Sequence, residues 1–290
     1  MRAIDVCMAV AVAVIWGMGF VVAKSATEHF PPIFLMSLRF FLTALCLVWF
    51  YRPPIKFFKQ IFWIALVSAT IQYGLTFNGL AGIDASTAAL VVQLEVPFGV
   101  LMAWIVFGER MNLRQIIGML IAFVGTVFIV GEPTLEGRVI YIFLVIGGAF
   151  TWAIGQVMIK KLGEVGGFVL IAWVAAIATP QMFIASWILE SDQIMLMKTA
   201  SWSVWGAVVY LALIMTALGY AMWYHLLGRY DVNKVMPFLL LLPVSAVLGG
   251  VFFLGETLTL NIVVGGLFSI FGVALITIQF EKIFSRTRAN

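Results

Sequence analysis

The sequence predicts an all-α polytopic membrane protein, with ten transmembrane helices in two inverted five-helix repeats around a central cavity. Three observations lead to this prediction: a very apolar composition, long apolar stretches between short polar breaks, and an internal duplication. Of the 290 residues, 63% are hydrophobic and only 10% are charged, and the mean hydropathy is +1.11. A globular protein in water needs more polar surface than this composition supplies.

The polar breaks divide the chain into apolar stretches of about 20 residues, the length that an α-helix needs to cross ~30 Å of hydrocarbon. The predicted spans are 4–23, 33–51, 61–80, 86–107, 113–131, 138–160, 167–189, 203–227, 233–254 and 260–280. Together they use nearly the whole chain, so the sequence predicts no separate soluble domain.

Lysine and arginine are distributed unevenly among the predicted loops, and this bias orients membrane proteins. With the N-terminus in the cytoplasm, thirteen basic residues fall on the cytoplasmic side, while only Lys24, Arg138 and Lys198 fall outside and Arg39 lies within a span. We therefore predict that both termini are cytoplasmic. The net charge of +4 reflects topology rather than nucleic-acid binding, because no loop carries a basic stripe with interleaved aromatic residues.

Two distant parts of the chain repeat one another. Residues 108–110 (Gly-Glu-Arg) and 255–257 (Gly-Glu-Thr) each separate two long apolar stretches, at an offset of 147 residues. Further matches at this offset are Leu113 and Leu260, Gly118 and Gly265, Leu120 and Leu267, Gly125 and Gly272, and Ile129 and Ile276. Matches at an offset of 136 are Ala13 and Ala149, Trp16 and Trp152, Gly19 and Gly155, Val21 and Val157, and Lys24 and Lys160.

Each copy of the duplication contains five spans, and because five is odd the second copy enters the membrane inverted. We predict a first repeat at 1–131, a second at 138–281 and a basic cytoplasmic tail at 282–290. The join is a polar stretch in which Pro133 and the flanking glycines disfavour helix. Inverted repeats of this kind typically enclose a site near the midplane that can open to either face, as in carriers.

The sequence predicts no cofactor and no metal site. Cys7 and Cys46 are far apart, and neither His29 nor His225 has a second ligand at a metal-binding spacing. The chain lacks a GxxxxGK[ST] phosphate-binding loop, so we expect transport to use an ion or substrate gradient rather than ATP. An intramembrane enzyme would need a nucleophile with a base, or paired acids, and the sequence offers no such constellation.

A series of short motifs runs in a fixed order along the whole chain. The motifs are Trp16-Gly17-x-x-Phe20-Val21-x-x-Lys24, Pro31-Pro32, Leu38-Arg39-Phe40, Gly108-Glu109-Arg110, Leu226-Leu227-Gly228-Arg229-Tyr230, Leu242-Pro243-Val244 and Gly255-Glu256-Thr257-Leu258-Thr259. As a set they resemble the EamA-type branch of the drug/metabolite transporter superfamily. The resemblance implies ten helices in two inverted repeats and the export of small metabolites. The eighth and ninth spans are most similar to exporters of amino acids and their derivatives, including cysteine and O-acetylserine, in the bacterial cytoplasmic (inner) membrane.

Glu95 is the outstanding polar residue within a predicted span. It lies about nine residues into a 22-residue span, near the bilayer centre, where a charged acid costs ~2.5–3.5 kcal/mol on insertion scales. Either a protonated Glu95 bonds a neighbouring helix, or its carboxyl group carries protons or binds a substrate amine. The resemblance implies glutamine at this position more often, so Glu95 departs from the family pattern.

Arg39 is the second charged residue within a span. At 1.5 Å per residue it lies ~9 Å below the outer surface and Glu95 ~13 Å below it, so their depths permit an ion pair. Arg39 either extends outward to the membrane surface or binds a substrate carboxylate, which its guanidinium fork fits. Gln93 and Glu95 are separated by about 200° on an α-helix, so we expect only one of them to face the cavity.

Trp16 and Trp152 are matched residues near mid-depth, whereas tryptophan usually lies at the membrane interfaces. Because symmetry-related positions flank a shared cavity, we predict that both line it. Aromatic or amide groups of other span residues are further candidates for the cavity wall. These are Gln72, Tyr73, Asn78, Gln156, Tyr220, Trp223 and Tyr224.

The sequence therefore predicts a secondary carrier that exports small polar metabolites, above all amino acids or their derivatives, by alternating access. Its partners would be a small-molecule substrate, the lipid bilayer and protons, with Glu95 as the proton-coupling candidate. Two other carriers stay open. A cationic drug exporter needs an acid such as Glu95, and a nucleotide-sugar carrier needs several basic cavity residues, of which Arg39 is one.

Overall fold

The structure is a computed structural model that describes residues 1–108, 111–132, 135–163, 165–227, 229–230 and 235–277. The described chain is helical with no strands, which confirms the predicted all-α class. Predictions that concern Glu109, Arg110, Pro133, Thr134, Gly228, Lys234 and the tail at 282–290 lie outside the described residues.

Ten apolar helical segments follow one another along the described chain, and they confirm the ten predicted spans. They are α1 (Ala3–Ala26), α2 (Pro32–Phe50), α3 (Ile55–Gly82), α4 (Ala85–Phe107), α5 (Leu113–Val130), α6 (Val139–Leu162), α7 (Gly167–Leu189), α8 (Trp202–Trp223), α9 (Phe238–Leu254) and α10 (Leu260–Thr277). Nine of these segments are long and apolar enough to cross a membrane, and α9 is shorter. A short helix, Gln193–Thr199, lies between α7 and α8. We call the end of the bundle where α1 begins the N-terminal face, and the opposite end the distal face.

Local sequence signals explain several helix ends. α4 ends at Gly108 and α9 ends at Gly255, and both glycines have a φ of +67°, a left-handed conformation that glycine adopts without steric cost. These two glycines are matched residues of the duplication. α5 begins with a capping box, in which Asn112 and Gln115 each bond the other's backbone N–H through their side chains.

α5 and α10 cross through four matched glycines. A methyl group added to Gly118 would meet the carbonyl of Gly272, and one added to Gly272 would meet the carbonyl of Gly118. Gly125 and Gly265 face one another in the same reciprocal way. Because residue 118 faces 272 while 125 faces 265, the residue numbers rise along one helix as they fall along the other. The matched helices therefore run antiparallel, which is the geometry of an inverted repeat.

This crossing predicts a large effect of one added methyl group. In Gly118→Ala the new Cβ would lie closer to the Gly272 carbonyl oxygen than van der Waals contact allows, so α5 and α10 must separate. We expect a loss of about 1–3 kcal/mol in stability, as overpacked cores show, measured as a lower melting temperature in detergent. Gly206→Ala is the matched control, since its methyl group meets open space. Equal melting temperatures for the two variants would contradict close packing at this crossing.

The other helix contacts repeat the two-fold pattern of the duplication. α1 packs against α9, and α6, the counterpart of α1, packs against α4, the counterpart of α9. α2 packs against its own counterpart, α7. The two repeats therefore interdigitate instead of forming separate bundles, so the centre of the molecule is built from both.

Irregular turns occur at matched places in the two repeats. α3 contains a π-helical segment, Leu66–Ile71, and α8 contains another, Tyr210–Leu218. α4 contains a 3₁₀ turn, Val92–Leu94, and a second 3₁₀ turn, Met236–Leu240, leads into α9. π-helical turns are frequent at functional sites, and broken helices in carriers line the binding cavity. These four segments therefore indicate that a functional site lies in the middle of the bundle.

The predicted orientation can be tested with cysteine labelling, after Cys7 and Cys46 are replaced. Lys59 and Lys161 are exposed on the N-terminal face, and Lys198 is exposed on the short helix at the distal face. Because the basic residues concentrate at the N-terminal face, a membrane-impermeant thiol reagent should label only Lys198→Cys in intact cells. All three cysteines should react after the membrane is permeabilised. If the reagent labels the Lys59 and Lys161 positions but not the Lys198 position in intact cells, the orientation is opposite to the predicted one.

Candidate functional site

A cavity of about 470 Å³ lies inside the bundle. Its wall is built from α1 to α4 of the first repeat and from α6 to α10 of the second, including residues of all four irregular segments. A volume between about 300 and 1,000 Å³ is typical of small-molecule sites. The cavity is therefore large enough for a metabolite and is shared by both repeats.

The cavity extends from mid-depth toward the N-terminal face. α7 contributes Leu170, Ile171 and Val174, which lie near its beginning, and α10 contributes Val273 and Thr277, which lie at its end. Both of these helix ends are at the N-terminal face, which the distribution of basic residues predicts to be cytoplasmic. The structure therefore represents a state whose cavity is directed toward the N-terminal face.

The distal ends of several helices are held together by partly buried carboxylates. Glu256 accepts hydrogen bonds from the backbone N–H groups of residues 85 and 86 at 2.6 and 3.0 Å, at the start of α4. Glu190 accepts from those of residues 33 and 34 at 2.8 and 2.9 Å, at the start of α2. Carboxylates stabilise helix N-termini in this way. Burial raises the pKa of the nearby Asp84 carboxyl group, and Glu256 raises it further.

Arg39 forms part of the cavity wall from α2, and its side chain is only 1% exposed. The expectation that it extends to the membrane surface is therefore wrong. Its Nε donates a hydrogen bond to Thr216 Oγ1 at 2.9 Å, and its guanidinium lies 4.7 Å from the centre of the Tyr73 ring. Among the described residues the only other acceptor is the sulfur of Met36, at 3.7 Å. The remaining N–H groups of this buried cation therefore have no oxygen acceptor there.

Glu95 lines the cavity from α4, immediately after the 3₁₀ turn, and is partly buried. No described side chain or backbone group donates a hydrogen bond to its carboxyl group, and no described basic group lies within 4.0 Å of it. The ion pair with Arg39 that the depths permit is not formed. The reason is helix packing, since α2 packs against α3, α7 and α8, which places the two charges on different parts of the wall.

Gln93 and Glu95 both line the cavity, so the expectation that only one of them would do so is wrong. The 3₁₀ turn at Val92–Leu94 provides the physical reason. Two residues of an α-helix rotate by about 200°, which leaves their side chains roughly 160° apart, whereas at 3.0 residues per turn the rotation is about 240° and the side chains are roughly 120° apart. A cavity of this width can contact side chains that point in both of these directions.

Gln72 contributes an unsatisfied hydrogen-bond acceptor from α3. The side chain is 3% exposed and lines the cavity. Its Nε2 donates to Thr76 Oγ1 at 3.2 Å, whereas its Oε1 has no partner among the described residues. A buried acceptor without a donor costs about 1–3 kcal/mol. Less than 1 Å² of the surface of this oxygen is accessible, so it does not face the cavity.

Trp16 and Trp152 both line the cavity, but their surroundings differ. The ring of Trp16 lies 5.1 Å from that of Tyr220 and 5.6 Å from that of Trp223. Its Nε1 donates to the carbonyl of Met215 at 3.0 Å, within the π-helical segment of α8. Trp152 makes no ring or hydrogen-bond contact with the side chains that the structure describes, so its indole faces the cavity more freely.

Ten of the twelve candidates from the sequence lie in the cavity wall. They are Trp16, Arg39, Gln72, Tyr73, Gln93, Glu95, Trp152, Gln156, Tyr220 and Trp223. Asn78 does not line the cavity, and its Nδ2 donates to the carbonyl of Gly74, one turn earlier in α3, at 2.6 Å. The side chain of Tyr224 lies outside the described part of the structure.

Sequence reasoning missed the hydroxyl groups of the cavity wall. Ser68, Thr76, Thr216 and Thr277 all line it. Serine and threonine are common in membrane helices because they can bond a carbonyl of their own helix, as Thr277 does with Val273 at 2.7 Å. The residue type alone therefore does not mark a cavity position.

Known proteins are similar to this chain in sequence and in fold. The model of the EamA-like transporter family matches residues 3–131 and 139–278. A "Probable amino-acid metabolite efflux pump" of Salmonella typhimurium is 32% identical over 265 residues, which cover 88% of each chain. A "Probable terminal-alkyne amino-acid exporter" of Streptantibioticus cattleyicolor is 28% identical over 222 residues, which cover 73% of this chain and 72% of that one. A solved crystal structure, 18% identical, superimposes over 100% of both chains with a TM-score of 0.65 and shares the fold.

Proposed function

Because the chain belongs to the EamA-like transporter family, we propose that it exports amino acids or closely related metabolites across a bacterial cytoplasmic membrane. The observation that carries this proposal is the buried Arg39 in the wall of a metabolite-sized cavity, without an acidic partner among the described residues. A guanidinium group binds a carboxylate through two parallel hydrogen bonds. The names of the efflux pump and the exporter that resemble this chain support the same class of substrate.

Transport would proceed by alternating access. In the state described here the cavity is directed toward the N-terminal face, while partly buried carboxylates hold helix ends together at the distal face. The inverted repeats can exchange these two arrangements, so that the cavity opens to the outside. The irregular turns of α3, α4, α8 and α9 lie around the cavity and would absorb the change in backbone conformation.

Protons would provide the driving force, with Glu95 as the coupling group. An acid within a membrane span marks a proton path in many pumps and transporters. Glu95 lines the cavity and has no described hydrogen-bond or ionic partner, so its carboxyl group is free to bind a proton in one state. It would release that proton when the cavity faces the other side.

A cationic drug exporter is the second candidate, and the aromatic cluster favours it. Trp16, Tyr220 and Trp223 lie close together in the wall, and cations bind over aromatic faces. Glu95 would add the negative charge. Arg39 opposes this function, because it places a positive charge in the same cavity. A nucleotide-sugar carrier is less well supported, since Arg39 is the only basic side chain of the described cavity wall.

Counterflow in proteoliposomes distinguishes these functions. Vesicles with the purified protein are loaded with an unlabelled compound, and uptake of its radiolabelled form is measured for a panel of amino acids, lipophilic cations and nucleotide sugars. We expect exchange of one or more amino acids and none of the cations, with protein-free vesicles as the control. Exchange of lipophilic cations alone would contradict the proposed function and would indicate drug export.

A further inference from the structure

Arg39 presents one guanidinium nitrogen to the cavity. Its Nε donates to Thr216 Oγ1 at 2.9 Å and its Nη1 contacts the sulfur of Met36 at 3.7 Å, whereas its Nη2 has no partner among the described groups. In the described part of the chain, the buried side-chain atoms without a partner are Gln72 Oε1 and Thr87 Oγ1. Arg39 Nη2 is not one of them, so it keeps accessible surface, and Arg39 lines the cavity. A carboxylate inside the cavity can therefore reach this nitrogen.

Three rings of the cavity wall form a cluster that we call the aromatic pocket, made of Trp16, Tyr220 and Trp223. The ring of Trp16 lies 5.1 Å from that of Tyr220 and 5.6 Å from that of Trp223. Trp16 and Tyr220 are partly exposed, whereas Trp223 is only 8% exposed and supports the other two. A ligand in the cavity would therefore contact the rings of Trp16 and Tyr220.

The backbone of α8 fixes the indole of Trp16. Its Nε1 donates to the carbonyl of Met215 at 3.0 Å, and a methyl group added to Gly219 would lie only 2.5 Å from the same nitrogen. The indole therefore lies directly on α8, over a glycine whose missing side chain leaves room for it. A ring held by a hydrogen bond and by close backbone contact forms a fixed part of the pocket.

The aromatic pocket begins next to the guanidinium group and extends toward the N-terminal face. Thr216, which binds Arg39 Nε, directly follows Met215, which binds the indole of Trp16. Tyr220 comes four residues after Thr216, a spacing that places both on one side of a helix. At about 1.5 Å per residue, the two positions are about 6 Å apart along α8. A ligand whose carboxylate binds Arg39 therefore needs a large side chain to contact the ring of Tyr220.

We propose that the cavity selects α-amino acids with a large apolar or aromatic side chain, with Arg39 binding the carboxylate and with Trp16 and Tyr220 contacting the side chain. The inference rests on the proposed function and narrows its substrate class. Contact between the side chain and the rings removes apolar surface of both from water, and an aromatic side chain adds offset or edge-to-face ring contacts. Serine or alanine would leave the aromatic pocket filled with water and gain neither contribution.

The position of Arg39 distinguishes this ligand from an organic cation. Cations also bind over aromatic faces, but Thr216, which anchors Arg39, precedes Tyr220 by about one helical turn. A cation on Tyr220 would therefore lie near a buried positive charge that forms no ion pair with the described residues, and like charges repel strongly where the dielectric constant is low. An amino acid brings a carboxylate that neutralises this charge.

Competition for counterflow tests the selection by side chain. Vesicles are loaded with unlabelled leucine, and uptake of radiolabelled leucine is measured with external alanine, serine, phenylalanine or phenethylamine, which is phenylalanine without its carboxylate. In the wild type we expect phenylalanine to compete at least about tenfold better than serine or alanine, because every methylene that fills an apolar pocket adds to the discrimination. Phenethylamine should compete at least about tenfold worse than phenylalanine, because it offers Arg39 no carboxylate.

Two matched tyrosine variants connect this preference to the aromatic pocket. Tyr220→Ala should reduce the advantage of phenylalanine over serine to less than about threefold, because it removes ring surface that only the larger side chain contacts. Tyr210→Ala is the control, since Tyr210 lies on the same helix outside the cavity wall and its hydroxyl donates to the carbonyl of Ile15. The advantage should persist in this control. If Tyr220→Ala does not fold, Tyr220→Leu keeps part of the apolar volume and should reduce the advantage by a smaller factor.

The inference fails if the Tyr220 variants keep the full advantage of phenylalanine, or if they weaken both amino acids equally, which indicates a structural role. Counterflow of serine as strong as that of leucine, or competition by serine as strong as that by phenylalanine, would overturn the inference and leave the proposed function in place. Competition by phenethylamine as strong as that by phenylalanine would overturn it too, because the rings would then bind a cation. If no amino acid is exchanged at all, the proposed function itself fails.

Discussion

Glu95→Gln should abolish substrate accumulation driven by a pH gradient while it leaves counterflow intact. Glutamine preserves the size and hydrogen-bonding capacity of the side chain but cannot bind or release a proton. Counterflow requires only substrate binding and reorientation of the carrier, whereas accumulation requires that one proton cross the membrane in the opposite direction for each substrate molecule. Glu95 suits such a role because it lines the cavity and has no partner among the described groups that would immobilise its carboxyl group.

The measurement uses proteoliposomes with the membrane potential clamped at zero and an imposed gradient of one pH unit. One proton per substrate supports at most about tenfold accumulation under this gradient, because one pH unit corresponds to about 1.4 kcal/mol. We expect the wild type to approach this ratio and Glu95→Gln to reach only equal concentrations on both sides. Glu95→Asp is the control, since it retains a titratable group at nearly the same place and should keep part of the accumulation.

Two results would contradict proton coupling through Glu95. Wild-type transport could prove indifferent to the pH gradient, in which case the carrier is a facilitator. Alternatively, Glu95→Gln could still accumulate substrate, in which case the carboxyl group has a structural role. The neighbouring Gln93 also lines the cavity, and Gln93→Leu, which changes polarity without removing an acid, should lower affinity and leave the dependence on the gradient unchanged.

The fold was predictable because the bilayer constrains it strongly. Apolar stretches of sufficient length predict the spans almost without regard to local propensity. The inverted arrangement was predictable from matched glycines such as Gly118 and Gly265, since a duplication of five spans can only enter the membrane inverted. In the structure these same glycines allow α5 and α10 to approach backbone to backbone. The matches thus reflect a packing requirement that both copies share.

The candidate site was only partly predictable, because membrane helices are apolar on all faces. Periodicity, which identifies the buried face of a helix in a soluble protein, therefore says little about which face meets a cavity. The cost of burying polar groups identified Arg39, Glu95 and Gln72, but the same reasoning included Asn78, whose amide is satisfied by its own helix. The 3₁₀ turn that brings Gln93 to the cavity together with Glu95 has no signature in the pattern of apolar residues.

The matched tryptophans show why repeat symmetry predicts positions better than roles. Both line the cavity, but only Trp16 bonds the carbonyl of Met215 in the π-helical segment of α8 and packs against the rings of Tyr220 and Trp223. A π-helical turn alters the usual backbone bonding, and the indole N–H of Trp16 provides a partner for one of its carbonyls. Trp16 therefore stabilises the irregular segment, whereas Trp152 contributes surface to the cavity alone.

We accordingly expect Trp152→Ala to lower the exchange rate about tenfold with little change in melting temperature, because the change enlarges the cavity without freeing a buried polar group. Trp16→Ala should lower both, since it leaves the Met215 carbonyl without its donor at a cost of about 1–3 kcal/mol. Trp16→Phe separates the two contributions of Trp16: it keeps an aromatic ring but should lose stability as Trp16→Ala does. The exchange rate is measured per monodisperse molecule and the melting temperature in detergent. If Trp152→Ala exchanges substrate at the wild-type rate, Trp152 serves packing only. If the two alanine variants are equally stable, Trp16 does not have the structural role proposed for it.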